Sequence, residues 1–211
     1  MPATPLPSAR EASAALARVG RHFHQRGWVF GTSGNFSVVR SRQPVRLAIT
    51  ASAAHKGELT ARDILEIDAK GRVTRGRRPP SAETGVHLAI VAARRAGAVL
   101  HTHSIWSTIL SERHRGRGGL AVRDLEMLKG LDGVTTHAHR EWIPIVANTQ
   151  DMPALARDIT AVLAARPAAH AVLIAGHGLY TWGRTLAEAE RHVEILEFLL
   201  ELEGRRQSWP S

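Results

Sequence analysis

The chain has 211 residues, 44% of them hydrophobic and 22% charged, with a formal charge of +9, twelve histidines and no cysteine. That length suits one domain with a substantial core, and no apolar run approaches the ~18–20 residues of a membrane-spanning helix. The missing cysteine excludes disulfides, thiolate zinc sites, iron–sulfur clusters and a cysteine nucleophile, so a metal would have to use His, Asp or Glu.

The positive charge is spread out. Only Lys56, Lys70 and Lys129 are lysines, and the arginines form short clusters at residues 72–78 and 113–117. With 5% aromatics and no aromatic-basic interleaving, no nucleic-acid partner is expected, whereas a small phosphorylated substrate stays open. Residues 1–8 carry no basic stretch followed by an apolar core and are read as a short disordered lead. A single domain over 9–204, a tail over 205–211, a cytoplasmic location and no membrane contact complete the expectation.

In chain order, Ala12, Ala15, Leu16, Val19 and Phe23 recur at helical spacing over 8–26, with Gly27 placed as a C-cap. A Gly/Ser/Asn turn at 31–35 is flanked by apolar stretches, and 45–50 reads as a strand. Thr60 to Asp63 has capping-box spacing, giving one helical turn before a strand at 64–68. Ser81 is placed as the cap of a helix over 82–95 that ends at Gly97. A strand over 98–103 follows, then a helix starting at 104, a Gly/Arg-rich loop at 116–119 and a polar, His-rich turn. Last come a strand at 142–146, a helix at 152–165, a buried strand at 171–175 and a long amphipathic helix at 185–202. This alternation suggests a three-layer α/β arrangement without the crossover rhythm of a purely parallel sheet.

His101-Thr102-His103 is the strongest chemical feature. Residues i and i+2 of a strand share a face, so both imidazoles can meet one ion while Thr102 points away. A catalytic zinc usually takes a third protein ligand, and His177, between Gly176 and Gly178 after a buried strand, is the best candidate. Two carboxylates stand out: Glu83 in the first turn of a helix, and Glu126 among apolar neighbours with Lys129 three residues on. The hydroxyl-rich turns at 32–37 and 50–57, with Ser81, offer donors for a phosphate, though neither matches a P-loop or dinucleotide fingerprint. His137-Ala138-His139 repeats the i,i+2 spacing in a polar turn and is read as idle. The remaining histidines, His87 among them, are read as surface or hydrogen-bonded groups.

Taken in order, Gly31-Thr32-Ser33-Gly34-Asn35-Phe36-Ser37, Ile49-Thr50-Ala51-Ser52, Lys56-Gly57, Pro80-Ser81-Ala82-Glu83, His101-Thr102-His103 and Gly176-His177-Gly178 resemble the class II (zinc-dependent) aldolase/adducin family. The resemblance implies an α/β/α fold with a mixed, mostly antiparallel sheet, a homotetramer, and one zinc per subunit on His101, His103 and His177. It also implies a substrate phosphate held around Asn35, Thr50, Ser52 and Ser81, with Ala53 standing where the family usually has glycine. Glu83 falls where the aldolases keep a catalytic glutamate. The stretches Glu126-Met127-Leu128-Lys129-Gly130 and Gly178-Leu179-Tyr180-Thr181-Trp182-Gly183 resemble a dehydrating branch that acts on 5-methylthioribulose 1-phosphate in methionine salvage. That branch implies Glu126 as the acid/base group. The same ligands would serve an aldolase or epimerase on another sugar phosphate.

Overall fold

The computed structural model describes residues 5–208, the Ser208 side chain excepted. Residues 1–4 of the expected lead and 209–211 of the expected tail lie outside the described residues.

Helix α1 (Ala9–Gln25) starts at a full capping box. Ser8 Oγ accepts from the Glu11 N–H at 3.2 Å, and the Glu11 carboxylate accepts from the Ser8 N–H at 2.7 Å. It buries Leu16, Val19 and Phe23 completely, each contributing about 1.5–3 kcal/mol of apolar transfer. Strands β1 (Asn35–Arg42), β2 (Val45–Thr50), β3 (Ile64–Asp68) and β4 (Val73–Arg75) follow as antiparallel neighbours, with the capped turn at Thr60 leading into β3. After them come α2 (Thr84–Arg94), β5 (Ala98–Thr102), α3 (Ile105–His114), β6 (Gly119–Arg123), β7 (Arg140–Val146), α4 (Met152–Ala165), β8 (Ala171–Ile174), β9 (Gly178–Gly183) and α5 (Leu186–Ser208). Among the described residues these form one nine-stranded sheet in the order β4-β3-β2-β1-β5-β9-β8-β7-β6. Only β7 and β8 pair in parallel.

Alternate residues divide the core in the way the expected three layers require. Val99, Val172, Ile174, Tyr180 and Trp182 face α2 and α4. On the other face, Phe36, Val38, Ala98 and Leu100 meet α1 and the start of α5, and Leu173 and Leu179 meet α3 and α5.

Four local readings change. Ser81 is not the cap of α2, because the chain still runs extended at Ala51↔Pro80 and then makes a turn in which Thr84 N and Oγ1 both donate to the Ser81 carbonyl. The helix therefore begins at Thr84, and it ends at Arg95, whose left-handed φ of 49° closes it before Gly97. The Gly178–Gly183 stretch, given no element in the sequence reading, is a strand, and all six residues are buried, so no alternation betrayed it. Likewise β6 emerges from the Gly/Arg-rich loop. Finally, α5 continues through 205–208. Arg205–Glu201 and Arg206–Glu203 pairs extend it, and Gly204 lets Trp106 pack so close that a Cβ would lie 2.1 Å from the indole.

One member of the idle pair, His139, finds a structural role together with His170. Glu141 on β7, 2% exposed, accepts from His139 Nε2, His170 Nδ1 and the His170 backbone N–H, each at 3.0 Å. His170 Nε2 donates to the Asp132 carbonyl at 2.8 Å, so both ring nitrogens donate and the ring is an imidazolium. Burial disfavours both charges, but the mutual bonds prevail: Glu141 titrates below and His170 above its usual range. Glu141 therefore stabilises the fold above its unfolded pKa and loses that contribution as pH falls through its folded value. His170 stabilises below its unfolded pKa and loses that contribution as pH rises through its folded value. Thermal melts should accordingly show the largest gap between wild type and Glu141→Gln between about pH 4.3 and 6.5, narrowing on both sides. A gap independent of pH contradicts the ion pair.

Candidate active site and metal centre

Three neighbouring strand positions build the centre. The register pairs Asn35 of β1 and Tyr180 of β9 with His101 of β5, so the three side chains lie in one row on the α2 face. Thr102 points the other way, donating to the fully buried Glu197 at 2.6 Å. His103 follows the strand, held by its N–H to the Trp28 carbonyl at 2.8 Å. His177 sits in the turn between β8 and β9, where Gly176 takes φ +61°. Its carbonyl accepts from Thr108 Oγ1 at 3.1 Å. Gly178 then approaches so closely that a Cβ would lie 2.1 Å from the Thr102 carbonyl, which draws the turn against the end of β5.

The result is a convergence of three Nε2 atoms: 2.7 Å for His101–His103, 3.2 Å for His103–His177 and 3.3 Å for His101–His177. Two nitrogens bound to one tetrahedral zinc stand about 3.3 Å apart, which both His177 distances match, while the His101–His103 distance is shorter. Among the described residues this is the one group of three or more potential ligands. His101 donates from Nδ1 to the Leu179 carbonyl at 2.9 Å, which leaves the Nε2 lone pair for the ion. Burial, and then the neighbouring imidazoles, push the His101 and His103 pKa values well down and keep both rings neutral, the form that ligates.

Glu83, at the start of α2, faces the triad. Its Oε1 lies 3.5 Å from His101 Nε2 and 3.6 Å from His177 Nε2, is buried, and has no hydrogen-bond partner among the described residues. A buried carboxylate oxygen with no partner within hydrogen-bond distance, facing the Nε2 atoms of His101 and His177, is what a bound cation would satisfy. Tyr180 stacks on His101 with centroids 3.9 Å apart, and burial together with the Glu83 charge keeps its hydroxyl protonated.

The four phosphate candidates gather nearby, three with their side chains already engaged. Asn35 Nδ2 donates to Glu83 Oε2 at 2.6 Å and to Ser81 Oγ at 3.2 Å. Thr50 Oγ1 accepts from the Phe36 N–H at 3.1 Å. Ser52 lies in the turn after β2, tied by its N–H to the Pro79 carbonyl, and Ala53 beside it takes φ +51°, a conformation that favours glycine. Lys56, 1% exposed, fastens the two turns together by donating to the Thr32 carbonyl at 2.9 Å and the Ala54 carbonyl at 2.6 Å. Burial lowers its pKa to about 8.

Glu126 stands apart. It lies on a short 3-10 segment (Glu126–Gly130) packed on α5, its carboxylate exposed and paired with Lys129 at 2.6 Å, and no hydrogen bond or ion pair joins it to the triad among the described residues. The sequence reading missed Tyr180; it offered Lys56 to a phosphate, whereas the structure buries that ammonium against the Thr32 and Ala54 carbonyls. It also left His87 without a role, although Glu83 and His87 are four residues apart, the spacing that stacks side chains along one helix face.

Comparison with known proteins places this geometry. The profile of the family described as Class II Aldolase and Adducin N-terminal domain matches residues 14–203. A methylthioribulose-1-phosphate dehydratase of Methylococcus capsulatus is 47% identical over 92% of this chain and 93% of its own length, and one of Sorangium cellulosum is 43% identical over 95% and 96%. Among solved structures, the L-fuculose-1-phosphate aldolase of Thermus thermophilus superposes with a TM-score of 0.74 at 26% identity, covering 96% of this chain and 98% of that one. By its sequence and by its fold, the chain belongs to the class II aldolase and adducin family.

Proposed function

We propose that the chain is a zinc-dependent lyase that removes water from 5-methylthioribulose 1-phosphate to give 2,3-diketo-5-methylthiopentyl 1-phosphate, in the cytoplasm. The observation that carries this reading is the convergence of three imidazole nitrogens and an unpartnered carboxylate oxygen, in a chain aligned over nine tenths of its length with dehydratases of that substrate. His101, His103 and His177 would hold the ion, which when bound supplies a Lewis acid that stabilises negative charge developing on substrate oxygens. Asn35, Thr50, Ser52 and Ser81, clamped beside the centre by Lys56, form the phosphate end.

The reaction needs a base for the C3 proton, which the C2 ketone acidifies, and an acid for the departing C4 hydroxyl; one carboxyl can do both in turn. Glu126 takes that part in this reading. The Lys129 bond lowers its pKa, keeping it ionised and ready to accept. Because it is exposed and outside the triad of its own chain, it serves the triad of a neighbouring copy in the homotetramer. Supporting such an assembly, Ile105, Ile109, Met127 and Phe198 are exposed apolar residues on α3, the Glu126–Gly130 segment and α5, the first two elements each packing on α5, and α3 begins two residues after His103.

Incubation with methylthioribulose 1-phosphate, with and without chelator, should show water elimination that chelation abolishes and zinc restores. Aldehyde release or epimerisation of another ketose phosphate, with no action on this one, overturns the assignment. His101→Ala and His103→Ala should each lose the roughly one zinc per chain and all turnover. Glu126→Gln should retain zinc and lose about 10²–10⁴-fold in kcat. If Glu126 acts across subunits, His101→Ala and Glu126→Gln chains, each inactive alone, should regain activity when reassembled together; no complementation refutes the cross-subunit role.

A further inference from the structure

The hydrogen bonds behind Glu83 can run in only one direction. Glu83 Oε2 is an acceptor, so Asn35 must turn its amide nitrogen toward it, at 2.6 Å. The Asn35 carbonyl oxygen then faces His87 Nε2, which lies within hydrogen-bond distance, and that nitrogen must carry a proton. Ser37 Oγ lies 2.7 Å from His87 Nδ1, so with the proton on Nε2 the serine hydroxyl donates to a ring lone pair. Every bond in the series Ser37, His87, Asn35, Glu83 is satisfied in this direction alone for a neutral ring. His87 is 0% exposed, one turn beyond Glu83 on α2, with its ring edge-on to Tyr180 at 5.7 Å. Burial lowers its pKa to about 4, so the neutral ring prevails around pH 7.

An asparagine amide can turn over by 180° with little change of shape, and the turned form would set its carbonyl oxygen against the Glu83 carboxylate. With its proton on Nε2, His87 opposes that form, because the Asn35 nitrogen would then meet that proton. We propose that His87 is a positioning residue: its Nε2–H fixes the Asn35 amide, which holds Glu83 Oε2 and thereby aims Glu83 Oε1 at the space between His101, His103 and His177. The inference rests on reading that space as a metal centre and reaches past the ligands to the group that orients the carboxylate. It also gives Asn35, placed at the phosphate end, a further part in the middle of a relay.

The test compares His87→Leu, which removes both ring nitrogens, with His87→Gln, whose amide nitrogen reaches the place of Nε2 and can still donate to Asn35. Zinc affinity is read by competition with a chromophoric chelator, folding by thermal melting, and kcat and KM with methylthioribulose 1-phosphate. In a folded His87→Leu protein, zinc affinity should fall about tenfold or more and kcat by about 10–100-fold with KM nearly unchanged, and His87→Gln should recover most of both. Leucine values within twofold of wild type, or a glutamine variant no better than the leucine one, overturn the proposal. Should His87→Leu fail to fold, Ser37→Ala, which leaves His87 Nδ1 without its hydroxyl partner, must weaken zinc measurably or the relay is refuted. Should the wild-type protein bind zinc but leave this substrate untouched, the substrate assignment fails while the zinc competition still decides the role of His87.

Discussion

The register of β1, β5 and β9 is the constraint on which the rest depends. Asn35, His101 and Tyr180 are direct cross-strand neighbours, so one face of three central strands presents an amide, an imidazole and a stacked phenol in a row. A slip of one residue on any of the three would turn its member of the row into the opposite layer. Apolar alternation in the same strands blocks that slip, because Val99 and Trp182 belong to the α2/α4 core and Leu100 and Leu179 to the other. The packing that stabilises the sheet thus also aligns the chemistry.

Around that row, polar groups are buried at a cost that their geometry offsets only in part. A buried polar atom left without a partner costs about 1–3 kcal/mol, and Glu83 Oε1 is such an atom. Its sister oxygen is held by Asn35, and Asn35 by His87, so the carboxylate cannot rotate to relieve itself. Strain of this kind at a site surrounded by neutral imidazoles favours an incoming cation and is drawn from the stability of the remaining fold. Lys56 shows the same logic on the anion side: a buried ammonium bonded to two carbonyls joins the turns where a phosphate is proposed to sit.

The two carboxylates divide differently from the way their sequence neighbourhoods suggest. Glu126, in the stretch that most resembles a dehydrating branch, is solvent-exposed and bound to Lys129 in its own chain. Glu83, which on sequence could be an ordinary dipole-favoured residue, is directed at the triad. Proximity in one chain and resemblance of motif therefore select different groups, which the proposed assembly, by bringing another copy's Glu126 to the triad, would reconcile.

The cluster of His101, His103 and His177 was legible from the sequence because it depends on local rules: i,i+2 spacing at a strand's end sets His101 with His103, and glycines on both sides of His177 mark a sharp turn. The helices at 9–25 and 152–165 were legible for the same reason, through apolar residues at helical spacing. What escaped was set by distant partners. β9 is buried on both faces and carries no alternation, α2 starts late because the Ala51↔Pro80 bridge holds the chain extended, and His87 differs from a space-filling histidine only through Asn35 and Ser37, fifty or more residues away in the chain. Composition and spacing determined which atoms were available to bind a metal; the tertiary structure decided which way they point, because orientation is fixed by hydrogen bonds between segments that the sequence keeps far apart.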